Sequence, residues 1–211
     1  MDIARFKKLP VMGIVRGIEA DVVAPIVESM IFAGGGTLEI TMNTANAPAL
    51  IRSAVKAARS RLMIGAGTVL NVETLKSALD AGATFIVTPV MIDEVVEYCV
   101  DKAIPVFPGA FTPAEIYRAH CAGATMVKVF PSGILGPKYF SEIKGPFADV
   151  ELMACGGVTA ENLPDYFSAG ADAVAFGAGV FRREWLSGGK FDRIMDEIRR
   201  IVDSFKRTGT R

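Results

Sequence analysis

Eight apolar runs alternate with amphipathic stretches along 211 residues, and an Ala-Gly turn recurs once every two strand–helix units. Together these predict an α/β fold, a compact (β/α)8 TIM barrel forming a single domain over residues 1–211. The runs cover 11–16, 37–42, 63–69, 85–90, 105–110, 126–131, 151–158 and 173–179. Near-continuous apolar strands in strict alternation with helices mean a parallel sheet buried on both faces. Helical spacing marks 21–32, 47–58, 72–81 and 93–102, and N-cap chemistry is offered by Asn71, Asp93, Thr112 (with Pro113 next) and Thr159. Ala33-Gly34-Gly35, Ala81-Gly82-Ala83, Ala122-Gly123-Ala124 and Ala169-Gly170-Ala171 each close a helix-like stretch, where glycine serves as a left-handed cap. Their spacing of roughly 40 to 50 residues is too long for one βα unit and suits two. A doubly wound open sheet is the alternative, weakened because Arg16-Gly17-Ile18-Glu19 follows the first strand in place of a G-x-G-x-x-G turn. The polar tail, residues 206–211, is expected to fray.

Composition narrows the function classes. The net charge is zero and no basic block occurs, so neither nucleic acid nor an anionic membrane surface is an expected partner. Three widely spaced cysteines, Cys99, Cys121 and Cys155, fit neither a disulfide framework nor a metal-ligand pattern, which points to a reducing cytoplasm. No apolar stretch is long enough to span a bilayer.

Two charges stand where a barrel should be apolar. Lys128 lies inside Met126-Val127-Lys128-Val129-Phe130-Pro131, and alternation points Met126, Lys128 and Phe130 inward while Val127 and Val129 face the helices. Burial disfavours an ammonium, and a neutral lysine amine is a nucleophile able to form a Schiff base with a carbonyl. The bland reading is a lysine near a strand end that snorkels to water or pairs with a carboxylate. Glu39 shares a face with Thr37 and Thr41, with Leu38 and Ile40 opposite. Its bland reading is a structural ion pair; beside Lys128 it completes an acid–base set for carbonyl chemistry. Arg16 ends the first strand and could clamp a carboxylate or phosphate. Gly65-Ala66-Gly67-Thr68 would let a backbone approach a ligand, with the Thr68 hydroxyl beside it. After the last two strands, Gly156-Gly157 and Gly177-Ala178-Gly179 match the usual phosphate site of barrels. The lone His120 sits late in a helix and reads as a structural or surface residue, not a catalyst.

These residues resemble the 2-keto-3-deoxy-6-phosphogluconate (KDPG) aldolase family, which also covers 4-hydroxy-2-oxoglutarate aldolases. The resemblance rests on Leu38-Glu39-Ile40-Thr41, Gly65–Leu70, Thr88-Pro89, Pro108-Gly109, Lys128–Pro131 and Gly156-Gly157-Val158, in that order. It implies a class I aldolase without cofactor or metal, usually a homotrimer, acting on a phosphorylated keto acid and pyruvate. It assigns the Schiff base to Lys128 and proton transfer to Glu39, with Thr68, Pro89 and Phe130 lining the pyruvyl pocket and the glycine turns holding phosphate. Asn43 stands where many gluconate-type members carry arginine, and Gly179 where some carry serine. Asn43, Phe130-Pro131-Ser132 and Gly136-Pro137 look similar to the 6-phosphogalactonate branch. The rivals are a phosphate-binding barrel isomerase or synthase in which Lys128 only neutralises charge, and a non-catalytic sensor of a sugar-acid phosphate.

Overall fold

The structure, a computed structural model, describes residues 1–209. Among them nine parallel strands form a nearly closed barrel: β1 Val11–Val15, β2 Thr37–Thr41, β3 Met63–Gly67, β4 Ile86–Val87, β5 Val106–Phe107, β6 Gly109–Ala110, β7 Val127–Val129, β8 Leu152–Cys155 and β9 Ala173–Phe176. Every strand lies within one of the expected runs. The fifth run alone is split, at Pro108, which has no N–H to donate to a ladder. Its first half pairs with β4 and its second with β7, so this broken strand closes the circle. Gly109 is required there: a Cβ would fall inside the Pro89 carbonyl.

Alternation along the strands sorts the core into two clusters. Leu38, Ile40, Ile64, Ala66, Val127, Val129, Leu152 and Ala154 face the helices. Met12, Met63, Phe85, Val87, Phe107, Met126 and Met153 fill the barrel. The short helix Ile3–Lys8 closes the N-terminal end, its Phe6 ring packing edge-on against Phe107 at 5.8 Å between centroids. Apolar filling below therefore leaves the C-terminal end as the place for polar groups.

Helix ends follow local chemistry with some exceptions. Gly34, Gly82, Gly123 and Gly170 all have positive φ, between 83° and 99°, and each opens a six-residue closure such as Ala83 N–H to Ala78 O at 3.0 Å. The repeated Ala-Gly motif is thus one capping device used four times. Asn71 caps Val72–Asp80 and Thr112 caps Pro113–Cys121, the latter in a capping box with Glu115. Asp93 does not cap its helix; Ile92 holds that position and Asp93 is the first helical residue, where its charge meets the dipole. Thr159 opens a turn instead, and the cap position passes to Asn162. The stretch expected to begin a helix at residue 21 starts with a 3-10 turn, Ala20–Val22, before Val23–Phe32. The expected fraying of 206–211 is corrected as well. Lys206 and Arg207 end the helix Phe191–Arg207, whose stripe of Ile194, Ile198, Ile201, Val202 and Phe205 is buried, while Thr210 and Arg211 lie outside the described residues.

Candidate active site

Both inward charges are where alternation placed them. Lys128 is 7 % exposed and Glu39 1 %. Each leans towards the C-terminal mouth over a diagonal neighbour on the adjacent strand. Glu39 pairs with Gly65 and passes over Gly67, where a Cβ would sit within its carboxylate. Gly65 in turn makes room for the Phe85 ring. These two glycines are therefore not there to admit a ligand, as their composition alone suggests; they admit barrel side chains. Lys128 pairs with Met153 and has Cys155 as its diagonal neighbour.

Glu39 is electrostatically unusual. Oε2 has no hydrogen-bond partner, although it is buried. Burial pushes the carboxyl above its ordinary value, and the charges of Lys128 and then Arg16 oppose that rise. A carboxylate kept for a structural ion pair would have its oxygens engaged; an orphaned buried oxygen demands another account. Lys128 Nζ lies 5.4 Å from the centroid of the Phe130 ring, which stands 40 % exposed at the mouth. Thr68 is half-buried with φ at 55°, a left-handed conformation that a β-branched residue adopts under strain. Pro89 is half-buried at the end of the fourth run.

Arg16 is exposed but not free to wander at its backbone. The next N–H, that of Gly17, donates to Thr44 Oγ1 at 3.0 Å, and Thr44 in turn meets Thr41 Oγ1 at 3.1 Å. Thr44 is the link between the Arg16 turn and the Glu39 strand, and nothing in its local sequence marks it. Asn43, one residue earlier, is exposed and makes no side-chain hydrogen bond among the described residues.

Across the mouth, Gly156 and Gly157 adopt positive φ of 95° and 77°. Their turn is held by Ser132, whose hydroxyl donates to Cys155 O at 2.9 Å and is 3.1 Å from Gly156 O. Tyr166 donates to the Ser132 carbonyl at 3.2 Å. Ser132 is a second positioning residue with no signal of its own beyond following Pro131. The N–H groups of Gly157, Val158, Ala178 and Gly179 find no acceptor among the described residues. Gly177 lacks space for a side chain because the Ile14 carbonyl is 3.2 Å from where a Cβ would stand, whereas Gly179 is open. Free N–H groups on two neighbouring turns make an anion-binding concavity. His120 is exposed on its helix, remote from this mouth. A cleft of about 590 Å³ near Lys7, Lys144 and Asp172 lies at the other end of the barrel; Lys7 pairs with Glu151 and Lys144 with Asp172, so neither amine is available there.

The close fit of Glu39 over Gly67 gives a first expected result. In Gly67→Ala the added methyl meets Glu39 from Oε1 back to Cγ, all within 2.7 Å, so the carboxylate must leave its place. We expect kcat to fall about 10- to 100-fold with the circular dichroism spectrum unchanged. Wild-type turnover in this variant would mean that the carboxylate's position is immaterial.

The cysteines give a second. Cys99 and Cys155 are buried, and burial pushes the Cys99 thiol up to about 12 and raises that of Cys155; Cys121 is exposed. A thiol reagent such as Ellman's at about pH 8 should therefore titrate Cys121 alone in the folded protein, with the other two reacting only after denaturation. Rapid reaction of two thiols in the native state would contradict this packing.

Known proteins place this geometry. The family model "KDPG and KHG aldolase" matches residues 3–197. The chain is 34% identical over 200 residues to the 2-dehydro-3-deoxy-6-phosphogalactonate aldolase of Escherichia coli K12, covering 94% of this chain and 96% of that one. It is 38% identical over 161 residues to the 2-dehydro-3-deoxy-phosphogluconate aldolase of Pseudomonas aeruginosa, covering 76% of this chain and 71% of the relative. A solved structure described as native KDPGal superposes with a TM-score of 0.89 at 33% identity, over 95% of this chain and 96% of that one. With a barrel of the same shape and a match along nearly its whole length, the chain belongs to the KDPG and KHG aldolase family, whose members are carbon–carbon lyases.

Proposed function

We propose that the chain is a Schiff-base aldolase cleaving a 2-keto-3-deoxy-6-phospho sugar acid to pyruvate and glyceraldehyde 3-phosphate, with Lys128 as nucleophile and Glu39 as proton shuttle. One observation carries the proposal: a buried amine and a buried, orphaned carboxylate converge at the C-terminal mouth of one barrel. The free amine adds to the C2 ketone, and Glu39 delivers the proton that lets water leave the carbinolamine. The resulting protonated imine draws in the C3–C4 bonding pair as Glu39, or a water it holds, removes the C4 hydroxyl proton. The aldehyde departs, the enamine is protonated at C3, and water hydrolyses the imine to pyruvate and free lysine.

Binding groups follow from position. Arg16 would take the carboxylate, Thr68, Pro89 and Phe130 the pyruvyl group, and the turns Gly156-Gly157 and Gly177-Ala178-Gly179 the phosphate through free N–H groups. Phosphate held far from the reacting bond fixes the substrate for cleavage. The relatives just named, one acting on the gluconate and one on the galactonate series, support this substrate class. Asn43 and the whole-length match to the galactonate enzyme favour the galactonate epimer as a second reading; assaying both phosphates side by side decides between them.

Incubation with pyruvate and borohydride, followed by intact mass and peptide mapping, tests the chemistry. A reduced pyruvyl adduct on Lys128 is expected; an active preparation with no adduct would end the Schiff-base reading. The same proposal holds that the protein is a cytoplasmic homotrimer. Exposed Leu70, Val90 and Phe111, on loops that follow the strands, and Ile134, on the short helix Ser132–Leu135, support assembly, and light scattering at the trimer mass checks it. No helix among the described residues is long and apolar enough to cross a membrane.

A further inference from the structure

Cys155 stands in the mouth, and the reaction just described gives it no task. It ends β8 on the inner face, 4 % exposed, between Met153 below and the Gly156-Gly157 turn above. The register pairs Lys128 with Met153, so Cys155 is the diagonal neighbour that a lysine reaching for the mouth must pass. Its backbone is fixed, since Ser132 Oγ holds its carbonyl at 2.9 Å. Glu39 reaches the same space from β2 with Oε2 unpartnered.

We infer that Cys155 is a positioning residue for the aldolase nucleophile, its sulfur holding the Lys128 amine at the place where it meets the substrate ketone. A lysine tip is free to adopt many rotamers, and a polar neighbour set on a rigid strand restricts it where an apolar one would not. The groups facing the sulfur are Lys128 from β7, Glu39 from β2 and Arg16 from the end of β1. Burial raises the thiol above its ordinary value, the charge of Lys128 lowers it, Glu39 raises it and Arg16 lowers it. Burial keeps the group a thiol, a weak donor and acceptor, so it can orient the amine without competing for the ketone.

The inference rests on Lys128 as nucleophile, and the test separates the two. Cys155→Val, which fills the space, Cys155→Ala and Cys155→Ser would be compared with the parent in steady-state cleavage and in the rate of pyruvate–borohydride trapping. Val and Ala are expected to lower kcat and the trapping rate about ten-fold with KM within about two-fold. Ser, which restores a polar atom, is expected to recover kcat to within about three-fold of the parent. A Val variant that cleaves and traps like the parent overturns the inference, as does a Ser variant as slow as Val. A parent that traps no pyruvate on Lys128 removes the nucleophile on which the inference rests, a distinct result from either.

Discussion

Lys128→Met leaves the barrel folded and lowers cleavage at least about 10,000-fold, the scale on which loss of a covalent nucleophile is felt. The fold should survive because the side chain is 7 % exposed and neighbours the Met126–Met153 interior, where an apolar chain of similar length packs well. The more informative variant is Lys128→Arg. It keeps a cation in the mouth but cannot form an imine at neutral pH. If Lys128 served only to neutralise substrate charge, as in an isomerase or synthase on the same barrel, Arg would retain a large share of turnover. We expect it to be as inactive as Met and to yield no pyruvate adduct. Activity in the Arg variant within about ten-fold of the parent would transfer the chain to the rival mechanism. Melting temperatures of both variants near or above that of the parent would show that the loss is chemical.

Much of this arrangement is legible in the sequence, and the reason is periodicity. Two-residue alternation places Lys128 and Glu39 inside the barrel once their strands are recognised, because a one-residue slip would turn Val127, Val129, Leu38 and Ile40 inward instead. The Ala-Gly caps are legible because a left-handed residue after a helix has few occupants. What escapes notice depends on partners far along the chain. Gly65 and Gly67 look like room for a ligand until Phe85 and Glu39 are seen to occupy it. Pro108 breaks the fifth strand only because its two halves serve different neighbours. Thr44 and Ser132 are ordinary loop residues until Gly17 and Cys155 come within hydrogen-bonding distance of them. Cys155 could have been found by the same alternation that found Lys128. The spacing of cysteines, which marks disulfides and metal sites, carries no sign of a place on an inner face.

Glu39→Gln is expected to slow cleavage about 100- to 1,000-fold while leaving the pyruvate adduct on Lys128 detectable, since Gln keeps the shape and loses the proton transfer. Its pH dependence distinguishes this role from mere packing. Burial lifts the Glu39 carboxyl above its ordinary value, the cations Lys128 and Arg16 only partly opposing it. The parent's kcat/KM should therefore show an acidic limb above the usual carboxylate range, and in the Gln variant that limb should vanish. Stability gives an independent sign. A carboxyl whose folded value is raised favours folding below its unfolded value and loses that contribution as pH rises through the folded one. At pH above the folded value the parent carries a buried, unpaired charge that Gln lacks, so the Gln variant should melt higher there; at acidic pH, where Glu39 is protonated in both states, the difference should shrink. A Gln variant that is slower yet no more stable at neutral pH would show that the carboxylate's burial is compensated elsewhere. Equal turnover with an unchanged acidic limb would remove Glu39 from the mechanism. A gain in stability accompanied by loss of turnover is the outcome expected of a group that the barrel holds for its chemistry at the expense of its fold.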